Sequence, residues 1–178
     1  MTRSASTLLR TLAAVVLASL ATVARGDATP KLITWEQLIP EGWVEPEVDI
    51  PLSLDPTAPP QDSSFMSKKI ERPEGVPPAP VVETMNGKLV KLGGYVVPLD
   101  FEATTVKEFL LVPFIGACIH VPPPPANQII YVTIAKGFEV GDMWEPVTVI
   151  GTLKTTGATT GLADTGYSMD ADSIDKTQ

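Results

Sequence analysis

The chain has 178 residues, 19% of them charged, with 13 Lys and Arg against 21 Asp and Glu. That length suits one domain, and the acidic balance argues against a sequence-independent nucleic-acid binder, which needs a basic face to displace counterions. One Cys and one His exclude an internal disulfide framework, a multi-Cys zinc finger and a three-His site within one chain.

Residues 1–26 have the layout of a secretory signal peptide. Arg3 and Arg10 precede an uncharged, largely apolar stretch from Leu12 to Val23, and Ala21 to Gly26 supply small residues for cleavage. The apolar stretch is shorter than the ~20 residues that span a bilayer, so no stable membrane insertion is expected and the mature chain is placed in the periplasm or outside the cell. Losing Arg3, Arg10 and Arg25 with it leaves ten basic residues against 21 acidic. An oxidising compartment makes the lone thiol notable.

Residues 27–80 form an N-terminal arm and a proline-rich strap. Thr34 is placed to cap a short helix, with Gln37 at the third position of a capping box, and Pro40 to close it. Trp35 and Trp43 flank this turn and are expected to dock the arm on the domain. Eight prolines between Pro51 and Pro80 argue against a regular sheet there; Asp62 to Ile70 is the one stretch suited to a helix.

Residues 81–173 read as the folded core, and residues 174–178 as a polar tail. Strands are predicted at Lys88–Leu99, with Gly93-Gly94 marking a bulge or tight bend, at Val106–Phe114, Gly116–Val121, Gln128–Ala135 and Pro146–Leu153, and a last short one at Gly166–Ala171, with the chain fraying from Asp172. Pro122, Pro123, Pro124 and Pro125 form a stiff run suited to polyproline II, with Asn127 and Gln128 expected to hydrogen-bond nearby backbone. Lys154–Ala163 reads as a Thr- and Gly-rich loop, and Trp144 as a cover for a barrel end. Short strands with glycine bends suit a mainly β fold, a small OB-like β-barrel with an irregular, proline-rich N-terminal extension. Phosphate-binding glycine loops and nucleophile elbows are absent.

The chemistry-bearing stretch is Gly116-Ala117-Cys118-Ile119-His120-Val121 followed by the prolines. If it is extended, residues two apart share a face, so sulfur and imidazole project together. Thiolate and imidazole are donors for zinc, with copper the second choice. Two ligands do not complete a tetrahedral site; Asp100, Glu102, Asp164 and Asp170, near predicted strand ends, are candidates for the rest, as is a partner chain. Alternatively His120 activates Cys118 as a nucleophile or redox thiol, or both residues are structural. No third orienting group and no resolving Cys are visible, so the reading leans against an enzyme.

The string GACIHVPPPPANQ, with GGYVVPLDFE and FLLVPF before it and IIYV after it, resembles the bacterial exported family catalogued as domain of unknown function 3299. Trp35 to Pro40 resembles its N-terminal signature, and Val149 to Leu153 with Gly166-Tyr167 its C-terminal end. The resemblance covers most of residues 34–171. It implies an exported OB-like protein, often encoded beside components of an ABC-type export or metal-handling system and in some cases linked to periplasmic zinc homeostasis. On that footing Cys118 and His120 are the metal-facing pair, and the expected function is a periplasmic metal-binding accessory protein. The alternative is a metal-free docking module for a transporter or envelope complex.

Overall fold

The structure, a computed structural model, describes residues 29–46, 78–100, 103–115, 124–141 and 145–176. The leader, Asp62–Ile70, Gly116–Val121 and Trp144 lie outside the described residues. Six strands follow one another: β1 (Lys31–Leu32), β2 (Lys88–Pro98), β3 (Thr105–Val112), β4 (Ile130–Glu139), β5 (Pro146–Lys154) and β6 (Tyr167–Lys176). Sheet order is β1-β2-β3-β4-β6-β5, and β2 also pairs with β5. That second pairing closes β2 to β6 into a five-stranded barrel. The β4–β6 pair is parallel; the other barrel pairs are antiparallel. The closed order β2-β3-β4-β6-β5 is the Greek-key order of an OB barrel, as the strand spacing predicted. Closure leaves few free edges, and β1 adds in parallel to β2 at Val90 and Lys91.

Period-two patterning makes the strands. In β5, Val147, Val149, Gly151 and Leu153 are buried and the alternate residues are half-buried. Phe109, Leu111, Ile130, Val132, Tyr167 and Met169 meet them in the barrel interior. A second apolar cluster lies on the other face of β2, β3 and β4, where Val97, Leu110, Val112 and Ile129 pack with Ala163 of the β5–β6 loop. Burial on both faces explains why β3 ends in the continuous run Phe109-Leu110-Leu111-Val112.

Several details differ from expectation. β2 keeps an unbroken register with β5 through Gly93 and Gly94, so the glycines make no bulge. They stand where β2 passes from β5 to β3, Tyr95 pairing with both Pro146 and Val112. A Cβ on Gly94 would lie 2.7 Å from the Val112 carbonyl oxygen, so close strand approach is what requires glycine. β4 runs on to Glu139: residues 134–137 bulge opposite Lys107 of β3, and Gly137 takes φ 75° to allow it. The polar end also belongs to the barrel. Instead of fraying from Asp172, β6 runs to Lys176, pairing Ser173 with Ile150 and Lys176 with Val147. Backbone bonding to β5 holds this half, helped by Ile174 packing against the core; its alternate polar residues concealed it.

The Trp35–Leu38 segment is a single 3-10 turn, not a capped helix. Thr34 is extended (φ −117°, ψ 164°) and its side chain makes no cap bond. The Thr34 hydroxyl instead bonds the Glu36 carboxylate, holding that carboxyl below its usual range. Among the described residues no helix is long and apolar enough to cross a membrane.

Candidate functional site

Strand registers define the two barrel ends. Leu111, Ile130 and Tyr167 pair in one row, and Lys154 pairs with Ser168 beside it. β3 therefore leaves the barrel at the end where β4 and β6 enter. After Val112, Phe114 and Ile115 are 44% and 49% exposed. Cys118, His120, Pro122 and Pro123 follow, outside the described residues. The described chain resumes at Pro124. Pro125 has φ −60° and ψ 153°, polyproline II values, and Ala126–Gln128 then form a 3-10 turn into β4.

This turn is bonded to three other parts of the molecule. The Asn127 side chain is buried, and its amide donates to the Pro80 carbonyl at 3.0 Å; its Oδ1 is buried without a hydrogen-bond partner. Gln128 Nε2 donates to the Trp35 carbonyl at 3.0 Å and to the Asn127 carbonyl at 3.1 Å. Both side chains thus bond backbone, but mainly that of the strap and arm rather than the proline run. The Gly166 amide donates to the Ala126 carbonyl at 2.5 Å. Trp35 Nε1 donates to the Gly93 carbonyl at 2.7 Å, which docks the arm as its aromatic character suggested.

Tyr167, whose role composition did not announce, closes the same end. Its hydroxyl accepts the Val82 amide at 2.6 Å and donates to the Leu38 carbonyl at 2.9 Å. Burial pushes this phenol up; the Val82 hydrogen bond opposes that and Glu83 adds to it. The sequence signals were its place in the Gly166-Tyr167 pair of the family resemblance and at a strand start directly after a glycine.

The four carboxylate candidates do not converge. Asp100 is exposed beyond β2, in the loop that leads to Thr105 at the opposite end. Thr105 and Val112 are seven residues apart on β3, about 23 Å of strand. Glu102 lies outside the described residues. Asp170 sits on the outer barrel surface, 2.6 Å from Lys154 Nζ, and accepts from Thr133 Oγ1 at 3.3 Å. The Lys154 bond holds its carboxyl below the usual range. Asp164 is half-buried in the β5–β6 loop, bridge-paired with Thr159. It is two residues from Gly166, which bonds the turn after the proline run, so it alone of the described three shares that end. Among the described residues no three His, Cys, Asp or Glu side chains form a group able to hold a metal ion.

The fold defines a small OB-like β-barrel, and the sequence places a Cys-x-His segment between β3 and the turn at 126–128. A family model described as "Protein of unknown function (DUF3299)" matches residues 35–176, and the chain belongs to that family. The crystal structure of a DUF3299 family protein from Pseudomonas aeruginosa PAO1 is 39% identical; the match covers 85% of this chain and 98% of that one, with a TM-score of 0.64. An OBody bound to hen egg-white lysozyme is a distant likeness, at 16% identity and a TM-score of 0.35, over 60% of this chain and 98% of its own. No curated protein matches the chain.

Proposed function

We propose that the chain is an exported periplasmic accessory protein that binds a transition-metal ion, zinc in preference to copper, through Cys118 and His120, and acts in metal homeostasis or alongside an ABC-type transporter. The observation that carries this reading is the anchoring of the segment that holds both residues. It leaves from β3, buried through Val112, and returns through a turn tied to arm, strap and β5–β6 loop. Described flanks that are anchored in the fold lower the ordering cost of holding two ligands between them. The donor chemistry fits, since thiolate sulfur and neutral imidazole suit a borderline ion. Asp164, at the barrel end shared with the turn at 126–128, is the candidate for a third donor; Asp170 is paired with Lys154. An incomplete protein shell suits transfer to another protein better than storage. Binding displaces the thiol proton, so affinity falls as pH drops.

The test is native mass spectrometry of the mature protein, purified without chelator, beside the Cys118→Ser, His120→Ala double variant. A zinc-sized mass increase confined to the unmutated protein supports the reading. No increase after zinc is added overturns it. The exposed Phe114 and Ile115 at the root of the segment favour the second reading, a metal-free docking module. It predicts partner capture that survives both chelation and the double variant, but is lost on Phe114→Ser with Ile115→Ser.

A further inference from the structure

The chain's two asparagines, Asn86 and Asn127, sit in contrasting places. Asn127 is buried and precedes Gln128; Asn86 is exposed and precedes Gly87. Asn-Gly is the pair most open to intrachain attack, because glycine has no Cβ to shield its amide nitrogen. We infer that Asn86–Gly87 is a self-modification site that the fold holds closed, and that it reacts only when the start of β2 separates from the end of β5.

In the reaction the Gly87 nitrogen attacks Asn86 Cγ. A carbon–nitrogen bond forms, the Cγ–Nδ2 bond breaks, and ammonia leaves with the former Gly87 proton. Water then opens the succinimide to aspartate or isoaspartate. Three features oppose the first step. The Gly87 amide donates to the Leu153 carbonyl at 2.8 Å, extending the β2–β5 ladder. Asn86 has ψ 130° and Gly87 φ 73°, a type II turn geometry, whereas ring closure needs ψ of opposite sign to bring the glycine nitrogen beside Cβ. The Asn86 Oδ1 accepts the Thr155 amide at 3.2 Å, drawing the carboxamide toward the end of β5. Exposure leaves water free to reach the site, so hydrogen bonding and backbone geometry provide the protection.

The product hinders re-closure. Isoaspartate lengthens the backbone by one carbon and misaligns the Gly87 amide with Leu153. Either product brings a second carboxylate to Thr155, whose hydroxyl already donates to Glu83 at 2.9 Å. The modification therefore accumulates on chains that have opened at this end.

The test is incubation of the mature protein at mildly alkaline pH, folded and in urea, with peptide mapping of the amide-to-acid mass change. Asn127 is the internal control. Conversion at Asn86 is expected to be more than about tenfold slower in the folded sample, the factor reflecting the free energy of opening the strand end. Slowed hydrogen exchange of the Gly87 amide should accompany it, and Leu153→Ala, which loosens the end of β5, should raise both rates together. Equal conversion in folded and urea samples, or none in urea, would overturn the inference.

Discussion

Replacing Tyr167 by Phe tests whether one hydroxyl holds the N-terminal arm to the barrel. The ring stays buried and fills the same space, so the perturbation is confined to two hydrogen bonds, from the Val82 amide and to the Leu38 carbonyl. Each is worth about 1 kcal/mol net, and each partner left dry costs about 1–3 kcal/mol. Val82 is only half-buried and its amide can hydrate, which limits the loss there, whereas Leu38 is buried and its carbonyl is left dry. The expected destabilisation is about 2–3 kcal/mol, or a Tm lower by roughly 5–10 °C for a domain of this size. Urea unfolding followed by tryptophan fluorescence measures it; a simultaneous fall in the m-value marks partial release of the arm. The same hydroxyl gives a pH signature. Burial raises the Tyr167 pKa above its ordinary value. The folded state therefore keeps the proton where the unfolded chain gives it up. Its contribution is complete below the unfolded pKa and is lost as pH rises from there toward the folded value. Tyr131 is also raised, by burial and by Glu108, and contributes equally to both proteins, so the difference between the parent and Tyr167→Phe isolates Tyr167. A loss under about 0.5 kcal/mol with an unchanged alkaline limb would show that the arm is held by packing alone and refute the reasoning.

Gly94→Ala should cost about 1–3 kcal/mol, because the new methyl meets the Val112 carbonyl and the Leu111 side chain at 2.7 and 3.1 Å; thermal melts check it, and a neutral result would mean that β2 and β3 can part without penalty. Asp170→Asn should cost less than about 1 kcal/mol, since the Lys154–Asp170 pair is solvent-exposed. Because Lys154 lowers the Asp170 pKa, that small contribution is present above the unfolded carboxylate pKa and disappears as pH falls through the folded value. Urea titrations of the two proteins should therefore converge in acid, and a gap that persists there would assign the effect to packing.

The barrel was legible because its strands carry period-two patterning or continuous apolar runs bounded by Gly and Pro. β5 shows this most plainly, with every second residue inward. The end of β6 was not, because Asp172, Ser173 and Asp175 look like a solvated tail and backbone pairing with β5 leaves no mark in side-chain chemistry. The Thr34 capping box failed for a related reason. A capping box needs a helix long enough to leave orphan amides, and this segment closes after one turn. Scarcity singled out Cys118 and His120, which lie outside the described residues, and Asn127 and Gln128 stood out by their place after the prolines. It could not rank four carboxylates spread over 71 positions, from Asp100 to Asp170, because their sorting depends on which barrel end each strand exits.

That sorting follows from topology. In a barrel where β4 and β6 run parallel, the connection entering β4 and the connection entering β6 meet at one end. The first carries Cys118, His120 and the proline run; the second carries Asp164. The Gly166–Ala126 hydrogen bond ties them directly, and a Cβ at Gly166 would lie 2.9 Å from the Ala126 carbonyl oxygen and 3.0 Å from Asn127 Cα, so the join depends on glycine. The arm reaches the same place through Trp35 and Gln128, and the strap through Pro80 and Asn127. The connection that carries Cys118 and His120 therefore leads into a turn already bonded to arm, strap and β5–β6 loop. The opposite end, where Asp100 sits, has no part in it.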